Sequence, residues 1–151
     1  MYHCESPASN IFPGHPYSKI IFIQKGDGQF YFGNQFLPVQ ENDLLLVNPD
    51  KQKFSVDVQH PPLDFIILGI ENLLFTNDTG EAISPFTRLS LSSDICLNLM
   101  HMLIHEVTKR SEYYEEACRH YLNLILIEIQ RNTQINYDYP SKEKNNRDCT
   151  F

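Results

Sequence analysis

Tyr17-Ser18-Lys19-Ile20-Ile21-Phe22-Ile23-Gln24-Lys25-Gly26-Asp27-Gly28-Gln29-Phe30-Tyr31-Phe32-Gly33 is the stretch that decides the fold. Tyr17 to Gln24 is β-branched and aromatic, which predicts a strand. Lys25-Gly26-Asp27-Gly28 reads as a tight turn and Gln29 to Phe32 as a second strand. Gly33-Asn34 predicts a hairpin turn, because both residue types tolerate positive φ. Phe36 to Val39 follows as a third strand, and its Pro38 points to a sheet edge or a bulge.

Outward from that block the pattern repeats. Glu41-Asn42-Asp43 turns the chain into Leu44 to Val47, and Asn48-Pro49-Asp50-Lys51 turns it into Phe54 to Val58. His60-Pro61-Pro62 is a break before the apolar run Leu63 to Ile70. About six short strands separated by turn residues indicate a barrel or sandwich. Residues 1–16, rich in Pro and Gly, read as an arm without regular structure.

The period then changes. Ser93 to Lys109 reads as a helix that Ser92 or Ser93 can cap, with Cys96, Met100, Leu103 and Val107 on one stripe, widened by Ile95, Leu99 and Met102. A second helix spans about 113–132. Its apolar set is Ala117, Cys118, Tyr121, Leu122, Leu124, Ile125, Ile127 and Ile129. A helix packed on one surface needs an apolar arc of about 100° or a little more. This arc is wider, so one part is expected to face a second subunit; the alternative is that both parts pack within the chain. Residues 136–151 are polar, carry Pro140, and read as a linker or tail.

The bulk numbers bound the function. The chain has 151 residues, enough for one domain with its own core. Its net charge is -7, from 12 basic and 19 acidic residues. No basic stripe is present to neutralise phosphates, so these residues are not expected to grip nucleic acid. No apolar run reaches the roughly 18 residues of a transmembrane helix. Residues 1–7 lack the basic start and apolar stretch of a signal peptide. Four cysteines, at 4, 96, 118 and 149, form no CxxC pair and read as free thiols.

Catalytic motifs are missing. There is no GxSxG elbow, and Gly26-Asp27-Gly28 lacks the GK[ST] ending of a phosphate loop. His101 and His105 share a helix face but not the HExxH pattern, and a zinc site needs three or four convergent ligands. What remains is a pocket. Tyr17, Lys19, Ile21 and Ile23 share one face of the first strand by the period-two rule. If that face lines a barrel mouth, it suits a polar small molecule. If Ile20 and Phe22 face the core instead, Lys19 points to solvent.

The order of strands and turns resembles the cupin fold, and more narrowly the N-terminal sensor domain of AraC/XylS-type transcription regulators. Residues 17–33 and the run Glu41-Asn42-Asp43-Leu44-Leu45-Leu46-Val47-Asn48-Pro49 carry the likeness, with the two helices after them. It implies a mainly β fold: a cupin-like, jelly-roll β-barrel over 17–90, then two C-terminal α-helices over 91–135. Metal-binding cupins carry His-x-His, then Glu, then a further His. The matching positions here hold Pro13, His15, Lys19 and Phe54. One ligand of four survives, which argues for a metal-free, cofactor-free barrel and no catalytic residues.

The resemblance therefore implies a cytoplasmic homodimer that binds a sugar or anionic effector. It would reach DNA only through a helix-turn-helix domain not contained in this chain. The expected ligand contacts are His15, Tyr17 and Lys19, with Ile21, Phe30, Phe32 and Phe54 as walls. The expected dimer contacts are Tyr114, Ala117, Cys118, Tyr121, Leu124, Ile125 and Glu128. A stand-alone cupin enzyme and a ligandless dimerisation module are the alternatives.

Overall fold

The computed structural model describes residues 2–5, 11–12, 16–49, 54–58, 63–83, 86–90 and 94–139. Asp50 and Lys51 of the expected turn at 48–51, the expected break at 60–62, the cap at Ser92 or Ser93 and the tail beyond 139 lie outside the described residues.

The strands are β1 (Tyr2–Glu5), β2 (Ile11–Phe12), β3 (Ser18–Lys25), β4 (Gly28–Phe32), β5 (Gln35–Val39), β6 (Asp43–Val47), β7 (Phe54–Val58), β8 (Asp64–Ile70), β9 (Leu74–Thr76), β10 (Phe86–Ser90) and β11 (Asn136–Asp138). Helices α1 (Asp94–Lys109) and α2 (Tyr114–Asn132) lie between β10 and β11. One sheet runs β1-β8-β3-β6-β10, another β2-β7-β4-β5, and β11 pairs with β9. All pairings are antiparallel. This is a mainly β fold, an antiparallel β-sandwich followed by two helices; among the described residues its two main sheets are not closed into one barrel.

The quoted stretch supplies the centre. β3 is the middle strand of five and is covered on both faces. Ile20 and Phe22 join a core with Leu44, Leu46, Leu68, Met100, Leu103, Leu122 and Ile125, between sheet and helices. Ile21 and Ile23 join a second core with Phe30, Phe32, Phe54, Phe65 and Ile67, between the sheets. Turn chemistry supports the hairpins: Gly26 (φ 87°) and Gly33 (φ 61°) take left-handed backbone, and so does Asn42 (φ 72°), whose N–H donates to Ile23 O at 2.8 Å. β5, with its Pro38, is an edge strand. That is where a residue without an N–H does no damage to a ladder.

Several expectations are corrected. The N-terminal arm is not wholly irregular: β1 pairs with β8 and β2 with β7. The C-terminal linker begins with a strand, because Asn136–Asp138 pairs with Leu74–Thr76. In a stretch without an assigned pattern, β10 completes the five-stranded sheet and β9 takes β11 as its partner. On α1, Ile95 and Met102 are more than half or half exposed (58% and 50%) and do not widen the buried stripe, which is Cys96, Met100 and Leu103.

Candidate functional site

The site is assembled by register. Side chains of β3 alternate, so Lys19 enters the space between the sheets beside Ile21 and Ile23. Lys19 stands across from Gly69 of β8 and Val47 of β6. Gly69 has a packing reason. A methyl group there would collide with the Tyr17 ring, so the missing side chain is what lets Tyr17 lie against the sheet.

The facing sheet contributes aromatics. Phe32 is paired with Phe54, and Phe30 with Val56, so β4 and β7 present neighbouring rings. Phe30 and Phe54 centroids lie 5.9 Å apart and Phe32 and Phe54 5.4 Å, both stacked. Phe65 meets Phe30 edge-on at 5.2 Å. The Lys19 ammonium sits over the Phe54 ring, 5.4 Å from its centroid, and the residue is 2% exposed. A cation at that distance from a ring face is attracted by the ring's quadrupole, more strongly where water is excluded.

Of the expected ligand contacts, Lys19, Ile21, Phe30, Phe32 and Phe54 are brought together between the sheets, and Tyr17 flanks them half-buried. His15 lies outside the described residues, as does Pro13. The other two positions matched to cupin metal ligands, Lys19 and Phe54, meet as cation and ring. Among the described residues, no group of three or more His, Cys, Asp or Glu is placed to hold a metal ion. Sequence reasoning missed Leu45, Val47, Val56, Phe65, Ile67 and Gly69 as interior neighbours. The same period-two rule on β6, β7 and β8 carries the signal for them.

The expected dimer set divides. Cys118 and Ile125 are buried in the chain's own core (1% and 0% exposed), so they have no surface to offer a second subunit. Glu128 is also buried. Its carboxylate accepts from Arg131 at 3.0 Å and Asn132 at 3.1 Å within the same helix. Tyr114, Ala117 and Tyr121 are half-buried and Leu124 is exposed. Beside them a groove of ≈ 420 Å³ is lined by Asn98, His101, Met102, His105, Glu106 and Tyr121. His101 and His105 are both exposed, and the His101 ring lies edge-on to Phe22 at 6.0 Å. Burial, reinforced by the Glu128 carboxylate, pushes the Cys96 thiol up to about 11.

Four polar side chains hold the sandwich in ways the sequence did not announce. Asp43, 1% exposed, accepts from Gln40 N–H at 2.8 Å and from the Ser90 hydroxyl at 3.0 Å. Arg88 of β10, 3.9 Å from Asp43, donates to Pro38 O at 2.8 Å and so ties the edge of one sheet to the edge of the other. A surface cleft of ≈ 600 Å³ lies there, lined by Asp27, Gln29, Val39, Gln40 and Arg88 among others. Ser18 and Asn48 bind the segment around β9, with Asn48 making three buried hydrogen bonds to its backbone.

This architecture is similar in fold to the N-terminal part of an AraC-family regulator. Solved chains that share it are those of ToxT from Vibrio cholerae, an AraC-family regulator. An apo ToxT variant superposes with a TM-score of 0.60 at 14% identity, covering 89% of this chain and 57% of that one. ToxT bound to (E)-4-(8-methylnaphthalen-1-yl)but-3-enoic acid gives 0.57 at 9% identity, over 95% of this chain and 60% of that one. Unsaturated-fatty-acid-bound ToxT gives 0.54 at 9%, over 94% and 57%. The likeness is one of fold, and the chain spans about three fifths of the ToxT length. No family model matches the sequence. No curated protein sequence matches it either.

Proposed function

We propose that the chain is the effector-sensing and dimerisation domain of an AraC-type transcription regulator, and that its effector is a carboxylic acid with an apolar body. The carrying observation is Lys19: a cationic side chain on the interior face of a central strand, among aromatic walls. An ammonium with apolar neighbours suits a ligand with one anionic end and a hydrophobic remainder. The two ligands in the ToxT structures, an unsaturated fatty acid and a naphthyl butenoic acid, have that composition. His15 and Tyr17 are proposed as further polar contacts. The sandwich works without metal or catalysis. DNA is bound by a separate C-terminal domain, and the protein acts in the cytoplasm. No helix among the described residues is long and apolar enough to cross a membrane.

The homodimer reading is carried by the helical face. With Cys118, Ile125 and Glu128 buried, the contact is formed by Tyr114, Ala117, Tyr121 and Leu124 of α2, joined by Met102 of α1.

A thermal-shift panel of unsaturated fatty acids, aryl carboxylates, sugars and nucleotides tests the effector class. Ligand at about 100 times its Kd stabilises the folded state by about 2.7 kcal/mol. Only the apolar acids are expected to raise Tm, and Lys19→Met is expected to abolish the rise while leaving cooperative unfolding intact. A rise with sugars alone overturns the carboxylate assignment. A second reading, a packed sandwich without ligand, draws on the complete burial of Ile21, Ile23 and Phe30; a panel with no hit decides for it.

A further inference from the structure

β9 and β11 form a two-stranded ribbon of three residues each, apart from the two main sheets. A lone two-stranded ribbon is marginal in water, so its seat depends on what brackets it. The Asn48 amide donates to Phe75 O at 2.9 Å and Ile83 O at 3.0 Å, and its carbonyl oxygen accepts from Phe75 N–H at 2.8 Å. The Ser18 hydroxyl donates to Leu73 O at 2.5 Å. Phe75 is 1% exposed and stands opposite Tyr137 of β11.

The positions of these two brackets matter. Ser18 precedes Lys19, and Asn48 follows Val47. Lys19 and Val47 are cross-strand partners at the interior site. Period-two alternation therefore sends one residue of each adjacent pair inward and the other outward to the ribbon. A shift of the β3 or β6 backbone at Lys19 and Val47 changes the hydrogen bonds of Ser18 and Asn48 directly. The ribbon includes β11, the strand that follows both helices.

We propose that Ser18 and Asn48 couple the interior site to the docking of the β9–β11 ribbon, so that a change at the site changes how the ribbon is seated. The biological meaning of this coupling rests on the interior being an effector site; its mechanics do not require a ligand.

Hydrogen exchange read by mass spectrometry, on peptides covering 74–76 and 136–138, tests it in the whole chain. Gly69→Ala disturbs the site by displacing Tyr17, and Lys19→Met disturbs it by removing the cation. Each is expected to change ribbon exchange at least fivefold, with the β4 peptide 28–32 as reference. In a Ser18→Ala/Asn48→Asp background the ribbon should exchange fast from the outset, and either site substitution should add less than twofold. An unmoved ribbon in the intact background overturns the coupling. So does the same increment in the bracket background, which would mean transmission through the β8–β9 connection. If the double bracket variant no longer unfolds cooperatively, Ser18→Ala alone serves, with a reduced increment expected and an undiminished one contradicting. A separate arm adds cis-9-hexadecenoate to the wild type. Failure to bind there counts against the effector reading, while the variant arms still decide the coupling.

Discussion

A lysine ammonium between two β-sheets is costly unless its surroundings compensate the charge. Lys19 sits there, over Phe54. The alternation in residues 17–24 groups it with Ile21 and Ile23 but does not say which way that group faces. The physical reason is that β3 is covered on both sides, so neither face is polar enough to mark itself as outward. Ser18 and Asn48 were illegible for a related reason: a small polar residue beside an aliphatic strand looks like turn chemistry until its partners, 55 and 27 residues away, are in view. Asn48→Ala leaves three buried backbone groups without that partner. An unsatisfied buried group costs about 1–3 kcal/mol, and partial relaxation holds the total to about 2–4 kcal/mol, readable by urea denaturation. Gly69→Ala should cost about 1–3 kcal/mol by overpacking against Tyr17. A change below about 0.5 kcal/mol in either would show that these contacts are not maintained in solution.

Elements with strong periodicity were legible and marginal ones were not. The six strands and two helices read from the pattern lie within one residue of their observed ends. β1, β2, β9 and β11 are two to four residues long. They are strands because a distant partner pairs with them, which no local period records. The wide stripe of α2 was read as two surfaces. The structure shows most of it seated on the sheet and α1, with Leu124 left exposed. That seat has a pH consequence. Cys96 has a folded-state value near 11 against an ordinary 9.0, and burial also raises Tyr137 and Tyr139 above 10.0. The folded state then holds protons more tightly than the unfolded one, and stability falls as pH rises. Stability should be level from neutral pH to about 9 and decline from there toward 11. In Cys96→Ala the part of the decline that begins at 9 should shrink. A wild-type profile flat to pH 11 would contradict the burial of these groups.

At the scale of the molecule, the fold was legible through the order of strands and turns, while effector and assembly are proposals carried by surfaces. Light scattering on the purified chain at tens of micromolar should report a dimer, a range in which moderate interfaces associate. Leu124→Glu should return it to a monomer that still unfolds cooperatively, because Leu124 is outside the core, with Tm lowered only by the lost association and no longer dependent on concentration; a monomeric wild type would refute the helical interface. The interior site is tested most directly by a crystal structure of the chain grown with cis-9-hexadecenoate. The expected result is an acid lying between the sheets, a carboxylate oxygen about 2.7–3.2 Å from Lys19 Nζ and its chain along Phe30, Phe32 and Phe54. A saturated crystal with the space between the sheets filled by protein alone, and Lys19 still over Phe54, would contradict it.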